Sequence, residues 1–285
     1  MIFELSLMAQ KPQAQIGIFG GSGFYNILEN GREIDIKTPY GRPSDKIFVG
    51  QYEGKKIAFL PRHGKHHQYP PHKIPYRANL YAFKTIGVKY IIAPVAAGSL
   101  QPKIKPGDFV VCDQFIDKTF GRESTFFEGA KTKNKFSKAR VAHISAAKPY
   151  CTDLRAIAIN AGRKLKIKIH PHGTVVVING PRFASRAESE FYQKQGWGVI
   201  NMTQYPECVL AKELEMCYLN ISLITDYDAG LIGQKGIKAV SADEVIKVFQ
   251  GNNERIKKLI FEIIKNINKD TVCECHKSLK EAVIS

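Results

Sequence analysis

Apolar residues along the chain form short hydrophobic runs that alternate with segments of helical spacing. Such runs are typical of strands buried on both faces of a sheet, and glycine or proline turns separate them here. The strands predicted in this way are 15–19, 46–52, 56–60, 89–95, 108–112, 173–178, 198–202 and 218–225. The predicted helices are 76–86, 151–165, 184–195, 206–216 and a long terminal helix to about 267, which Ser241 and Glu244 begin as a capping box.

Strands and helices alternate over nearly the whole chain, and this order predicts one α/β domain. We expect a central mixed β-sheet flanked by helices on both faces, with the two strands around Glu53-Gly54 paired as a hairpin. The predicted domain covers residues 15–268. An N-terminal leader, 1–14, precedes it, and a C-terminal tail, 269–285, follows it.

Composition excludes several classes of protein. The 285 residues carry a net charge of +16, but the basic residues are scattered and no aromatic platform lies among them, so no nucleic-acid partner is expected. Positive charge of this kind also suits a small anionic substrate. No apolar run is long enough to span a membrane, and Glu4 stands where a signal peptide carries Lys or Arg, so a cytoplasmic location is expected.

The six cysteines include no Cys-x-x-Cys pair, so we expect neither structural zinc nor any other metal. Cys273-Glu274-Cys275 is interpreted as a feature of the tail without a catalytic role. Whether Cys273 pairs with Cys275, or Cys151 with Cys217, in a disulfide is left open by the sequence.

Small and hydroxylated residues follow several predicted strands, at the sheet edge where α/β proteins bind ligands. They are Gly20-Gly21-Ser22-Gly23, Pro61-Arg62-His63-Gly64, Val95-Ala96-Ala97-Gly98-Ser99 and Asn201-Met202-Thr203. Backbone N–H groups, hydroxyls and one guanidinium together indicate a phosphate site, although each turn alone is also compatible with an ordinary connection. An NAD site is disfavoured because the third glycine of its fingerprint would fall on Asn26.

Two carboxylates, Asp226 and Asp228, follow the predicted strand 218–225. Close together, they would raise one pKa and supply a proton donor near neutral pH. A metal site would need more oxygen ligands than this pair offers, and a solvated acidic loop is the plain alternative.

Ordered motifs cover nearly the whole chain from Ile16 to about Lys265 and resemble the trimeric class of purine nucleoside phosphorylases. The motifs are 16–23 (IGIFGGSG), 38–41 (TPYG), 61–64 (PRHG), 71–79 (PHKIPYRAN), 180–183 (GPRF), 201–207 (NMTQYPE) and 225–228 (TDYD). Three positions depart from the pattern: Val95 replaces a hydroxyl residue, Ala184 a serine and Asn179 a glutamate.

The resemblance implies roles for individual residues. Phosphate would lie among Ser22, Arg62, His63, Val95, the backbone of Ala96, and Thr203. Met202 would lie under the ribose and Phe183 would stack on the purine, while Asp226 and Asp228, the implied catalytic residues, would face N7 and the exocyclic amine. The 5' end of the nucleoside would be lined by His67 and by His143 from a neighbouring subunit.

It also implies an activity, namely phosphate-dependent cleavage of the N-glycosidic bond of S-methyl-5'-thioadenosine to adenine and 5-methylthioribose 1-phosphate. The alternative is a general phosphorylase of adenosine, inosine or guanosine. Such a pentosyltransferase uses inorganic phosphate as co-substrate and no cofactor, and a homotrimer or a homohexamer of two trimers is expected.

Overall fold

The computed structural model of the protein describes residues 13–20, 28–131, 140–233, 237, 241–268 and 273–284. Within these ranges, eleven strands form one mixed sheet, and β8 and β13 form a small antiparallel sheet of their own. The strands are β1 (Ile16–Phe19), β2 (Glu29–Ile34), β3 (Ile47–Tyr52), β4 (Lys55–Leu60), β5 (Tyr90–Ser99), β6 (Phe109–Val110), β7 (Gln114–Lys118), β8 (Val141–Ala142), β9 (Ile169–His170), β10 (Thr174–Ile178), β11 (Val199–Asn201), β12 (Cys217–Tyr227) and β13 (Val283–Ile284).

Helices cover both faces of the large sheet, which confirms the predicted α/β architecture. They are α1 (Tyr76–Thr85), α2 (Thr152–Lys164), α3 (Arg186–Lys194), α4 (Gln204–Glu213), α5 (Ala242–Gly251) and α6 (Asn253–Asn266), and four 3-10 turns lie at Pro71–Lys73, Gly129–Lys131, Ala229–Leu231 and Glu274–Lys277. None of the helices in the described ranges has the length and apolar character needed to cross a membrane.

The side chains of β5 show how the core is divided. Ile91 and Ala93 pack with α1 and α4 on one face, whereas Tyr90 and Ile92 pack with α2 and α6 on the other. Successive side chains of a strand point to opposite faces, so a uniformly apolar strand fills two cores at once. The predicted hairpin is also present, because β3 and β4 pair antiparallel around the turn at Glu53 and Gly54.

The sheet splits along one edge of β5, and this split positions the functional site. β12 pairs with β5 along nearly its whole length on the other edge. On the split edge, β1 reaches only Ile92, and β11 joins only at Gly98 and Ser99. Among the described strands none pairs with 93–97 there, so a cavity opens between β1 and β11.

Two sequence predictions of secondary structure were wrong. Val95–Ser99 is not a tight turn but the second half of β5, held extended by its pairing with β12. The long terminal helix is two helices, because Asn252 leaves the helical region at φ −106° and ψ 5°. The amide of Asn252 donates to the Val248 carbonyl and its oxygen accepts from Arg255, so this side chain competes with the regular helix bonds.

Some strands had no predicted counterpart. β2 carries the sequence ENGREI and β7 the sequence QFIDK, and both are largely exposed or half-buried. Each lies at an end of the strand order of the large sheet, where one face or edge meets solvent and a run of apolar residues is not required. The hydrophobic pattern therefore finds the central strands and misses those at the margin.

Candidate active site

A cavity of about 770 Å³ occupies the split in the sheet. This volume lies within the range typical of small-ligand sites. Its walls come from the carboxyl ends of β1, β4, β5, β11 and β12, from the chain around Phe183, and from α5 and the start of α6. Of the predicted site residues, it brings together Arg62, His63, His67, Val95, Ala96, Phe183, Met202, Thr203, Asp226 and Asp228.

Arg62 follows β4 and lies at one end of the cavity with only 8% of its surface exposed. Its Nε donates to Oε1 of Glu207 at 2.5 Å and its Nη2 donates to Oε2 at 3.0 Å. Nη1 donates to the carbonyl of Pro94 at 3.2 Å. Burial alone would lower the pKa of Arg62, but the Glu207 carboxylate outweighs it and raises that pKa, so the guanidinium stays charged.

Two further donors face the same end of the cavity. Thr203 has a buried Oγ1 without a hydrogen-bond partner in the described structure, and such an atom is costly unless a ligand or water satisfies it. The second donor is on β5. Because the polar groups of alternate residues in a strand point to the same edge, the Ala96 N–H shares the open edge with the Pro94 carbonyl that Arg62 contacts. The Ala96 donor is therefore on an extended strand rather than in the predicted turn.

His63 is a neutral hydrogen-bond acceptor that lines the cavity. Its Nδ1 lies 2.8 Å from the carbonyl of Tyr69, which can only accept, so the proton is on Nδ1. Burial lowers the pKa of His63 to about 4, helped by the charge of Arg62. At neutral pH this leaves Nε2 with a lone pair. The ring of His67 stacks on His63 with centroids 4.4 Å apart.

The acid pair lies at the far end of the cavity, where Asp226 is near the end of β12 and Asp228 directly follows that strand. Oδ1 of Asp226 accepts from the Thr225 hydroxyl at 2.7 Å, and Oδ2 of Asp228 is buried without a partner in the described structure. Burial raises the pKa of both carboxyls, that of Asp228 to about 6. The charge of Asp226 adds to the increase at Asp228.

The side walls between the two ends are mostly apolar. Phe183 is 41% exposed and lines the cavity, and Met202 packs against the hydrophobic cluster that contains Ile178, Ala184 and Ile200. The backbone carbonyl of Met202 accepts from Nη2 of Arg122 at 2.9 Å, which holds this segment in place. On the opposite wall, α5 contributes Val245, Ile246 and Phe249.

The remaining predicted positions have other surroundings. His143 is exposed next to β8, away from the cavity of its own chain, and its N–H donates to the carbonyl of Ala282 at 2.8 Å. Ser22 lies outside the described residues. Asn179, which departs from the family pattern, accepts a hydrogen bond from Nε of Arg122 at 3.3 Å and so supports the segment before Phe183.

Sequence reasoning missed residues that support the site. Glu207 holds Arg62 and also accepts from the Tyr218 hydroxyl at 2.7 Å. Asn201 lines the cavity with a buried Nδ2 that has no partner in the described structure, and its Oδ1 accepts from the Thr203 N–H. Both residues lie in the NMTQYPE motif, which is the sequence feature that could have identified them. For Glu207 there was a second indication, because a carboxylate among apolar helix positions needs a buried partner.

Residues 15–265 match the Phosphorylase superfamily. An S-methyl-5'-thioadenosine phosphorylase of Pyrococcus furiosus is 47% identical over 93% of this chain and 98% of its own length. A purine nucleoside phosphorylase of Streptomyces coelicolor is 43% identical over 95% of this chain and 96% of its own. The crystal structure of a methylthioadenosine phosphorylase from an antarctic soil metagenomic library superimposes with a TM-score of 0.86 at 40% identity, covering 96% of this chain and 93% of that one. The chain belongs to the Phosphorylase superfamily.

Proposed function

We propose that the protein cleaves the N-glycosidic bond of S-methyl-5'-thioadenosine with inorganic phosphate and yields adenine and 5-methylthioribose 1-phosphate. One observation carries the proposal: a single cavity has a charged guanidinium and unpartnered donors at one end and two buried carboxyls at the other. Phosphorolysis needs an anionic nucleophile on one side of the ribose and a protonated leaving group on the other, and the two ends supply these.

Phosphate would bind at the Arg62 end. Three of the five guanidinium N–H groups are used by Glu207 and Pro94, which leaves one on each Nη atom for the anion. Thr203 Oγ1 and the Ala96 N–H add donors from fixed positions, and by resemblance Ser22 adds another. Fixed donors orient the nucleophile toward C1' and make the attack effectively intramolecular.

The neutral His63 adds an acceptor to this donor set. Its Nε2 would accept a hydrogen bond from the one remaining hydroxyl of a phosphate dianion or from a ribose hydroxyl. As the glycosidic bond lengthens, the ribosyl group gains positive charge, and the bound phosphate is a favourable counter-charge next to it.

The leaving purine would be activated at the acid pair. A carboxyl whose pKa is about 6, as for Asp228, is protonated in a useful fraction of molecules near neutral pH. A protonated carboxyl donates to N7 and an ionised one accepts from a 6-amino group, so the pair suits adenine in both forms. Phe183 would cover the purine face, and Met202 would lie under the ribose.

The 5' substituent separates the proposed substrate from adenosine, inosine and guanosine. The apolar residues Val245, Ile246 and Phe249 favour a methylthio group over a hydroxyl at the part of the cavity they line. The S. coelicolor relative carries the name of the broader activity, so the broader substrate range is the alternative.

Release of free base from a panel of nucleosides, with and without phosphate, tests the proposal. We expect adenine from S-methyl-5'-thioadenosine only when phosphate is present, and a higher kcat/KM for it than for adenosine or inosine. An equal rate in phosphate-free buffer would show a hydrolase. A higher kcat/KM for inosine would show the broader activity. No cofactor is expected, because phosphate itself is the second substrate.

We also propose that the enzyme is a homotrimer or a pair of trimers. His143 is exposed and outside its own cavity, and by resemblance it would line the cavity of a neighbouring chain. Light scattering should give a trimer or hexamer, and His143→Ala should raise KM for the nucleoside while leaving KM for phosphate unchanged. A fully active monomer at micromolar concentration would refute this arrangement.

A further inference from the structure

Four cysteines from three distant parts of the sequence meet on the face of the domain opposite the α1 and α4 helices. Cys151 precedes α2, Cys217 begins β12, and Cys273 and Cys275 come from the C-terminal segment 273–284. Their Sγ atoms all lie within 4.8 Å of one another, and those of Cys151 and Cys273 are 3.6 Å apart. The first three residues are buried and Cys275 is half-buried.

We propose that these four thiols bind a Zn²⁺ ion that fastens the C-terminal segment to the domain. In a tetrahedral site with Zn–S bonds of about 2.3 Å, geometry places neighbouring sulfurs about 3.8 Å apart. The separations in the cluster bracket this value, so the sulfurs need only small shifts to coordinate an ion. A set of four thiolates selects soft or borderline cations over Mg²⁺ and Ca²⁺.

The surroundings of the cluster support thiolates. Cys151 is the N-cap of the 13-residue helix α2, and its Sγ accepts from the Leu154 N–H at 3.5 Å. N–H groups at a helix N-terminus stabilise negative charge on sulfur. Nε2 of His276 lies 3.5 Å from Sγ of Cys217 and can donate to it from outside the coordination shell. These contacts offset part of the negative charge that a four-thiolate zinc site retains.

The ion would have a definite structural task. The segment 273–284 also contacts the domain through Ser278, whose Oγ donates to the carbonyl of Lys212, and through the pairing of β13 with β8. β8 leads directly to His143. Zinc bound by Cys273 and Cys275 would therefore hold the C-terminal segment in place. That segment pairs with β8, the strand that directly precedes His143.

Binding moves protons but no electrons. Each thiol releases its proton to solvent as its sulfur coordinates, so zinc affinity falls as the pH is lowered. The rival chemistry, disulfide formation, removes two electrons and two protons per bond and needs an oxidant. The two chemistries leave different products, which makes them separable by experiment.

The test uses the full chain, expressed with Zn²⁺ present and purified under anaerobic, reducing conditions. Elemental analysis should give about one zinc per chain, since four ligands complete one structural site. Replacing zinc with Co²⁺ should produce the intense visible absorption and the sulfur-to-cobalt charge-transfer bands of a tetrahedral thiolate site. A mercurial that blocks thiols should release the zinc to a chromogenic chelator. These readouts need no variant and do not depend on the proposed enzyme activity.

Single substitutions test whether the cysteines of the cluster are the zinc ligands. Cys275→Ser should weaken zinc binding at least roughly a hundredfold, because one of four coordinate bonds is lost. Cys208→Ala is the matched control, since it removes a buried thiol outside the cluster and should retain one zinc per chain. Reduced wild-type protein that binds neither zinc nor cobalt would overturn the proposal. So would an intact mass lower by the four hydrogens of two disulfides in protein kept reduced, or full zinc binding by Cys275→Ser.

Discussion

Arg62 and Glu207 form a two-contact ion pair at the buried end of the cavity, with N–O distances of 2.5 and 3.0 Å, although 145 positions separate them in sequence. Glu207 is fully buried, so its carboxylate depends on Arg62 and on the Tyr218 hydroxyl for compensation. The pair fixes the guanidinium in the plane that presents its remaining N–H groups to an anion. Phosphate use and stability are therefore coupled at this position.

Arg62→Ala should impair both properties. The loss of a charge-assisted contact of about 1.5–3 kcal/mol should raise the apparent KM for phosphate about 10- to 100-fold. Stability should fall by about 3–5 kcal/mol, because Glu207 remains buried without its cation. Phosphate titrations in the base-release assay and urea unfolding at pH 7.5 measure the two effects.

The double variant Arg62→Ala/Glu207→Gln separates the two effects. It removes the uncompensated charge, so part of the lost stability should return while phosphate use stays impaired. Asp35→Asn is the control, since it breaks an exposed pair with Arg42 and should cost less than about 1 kcal/mol. An unchanged KM for phosphate in Arg62→Ala would contradict the proposed anion site.

Asp228 should make stability depend on pH in a defined direction. Burial raises its pKa from 3.8 to about 6, so the folded protein binds this proton more tightly than the unfolded chain does. A contribution of this sign is fully present below about pH 4 and is lost as the pH rises through about 6, reaching about 3 kcal/mol. Asp228→Asn cannot ionise, so it should match the wild type at pH 4 and be more stable at pH 8.

Unfolding free energies from urea denaturation at several pH values between 4 and 8 provide the check. If the variant is no more stable than the wild type at pH 8, the ionised carboxyl is better solvated than its burial indicates. Turnover should fall in the same variant at every pH, because the proposed proton donor near neutral pH is lost.

The sequence identified Asp226 and Asp228 as candidate site residues, because acidic residues directly after an apolar strand interrupt the hydrophobic pattern. The same pattern gave the wrong secondary structure for 95–99, where small residues indicated a turn. Those residues are small because β5 forms the wall of a cavity, and its pairing with β12 keeps it extended. Glu207 was missed, and the four cysteines were considered only as two separate pairs, for another reason. Their partners lie far away in sequence, and only the folded chain brings them together.

Gly98→Ala should impair catalysis while preserving the fold. A Cβ at this position would lie 3.0 Å from Oδ2 of Asp226 and 3.1 Å from Cγ2 of Ile200, so the carboxyl must move. A displacement of a few tenths of an ångström disturbs the contact of the Asp226 carboxyl with the purine, and we expect kcat to fall about 10- to 100-fold. Gly251→Ala is the control, since a Cβ there meets no atom within 4 Å. Equal kcat values for the two variants would place Asp226 outside the reaction.

Asp226→Asn should change the choice of base. The Thr225 hydroxyl donates to Oδ1 of Asp226 at 2.7 Å, so an asparagine would keep its oxygen on Thr225 and turn its NH₂ toward the cavity. An acceptor of the 6-amino group thereby becomes a donor that suits both N7 and the carbonyl of a 6-oxo purine. Unmatched buried polar groups cost about 1–3 kcal/mol each, so the wild type should prefer the 6-amino base by roughly 10²-fold. We expect the variant to lower turnover of S-methyl-5'-thioadenosine and to raise the relative use of 5'-methylthioinosine.

The measurement is kcat/KM for both nucleosides in the wild type and in Asp226→Asn. The double variant Thr225→Val/Asp226→Asn is the companion, because it frees the amide to rotate. A wild type that prefers the 6-oxo base, or a ratio that Asp226→Asn leaves unchanged, would show that this carboxyl does not contact the purine.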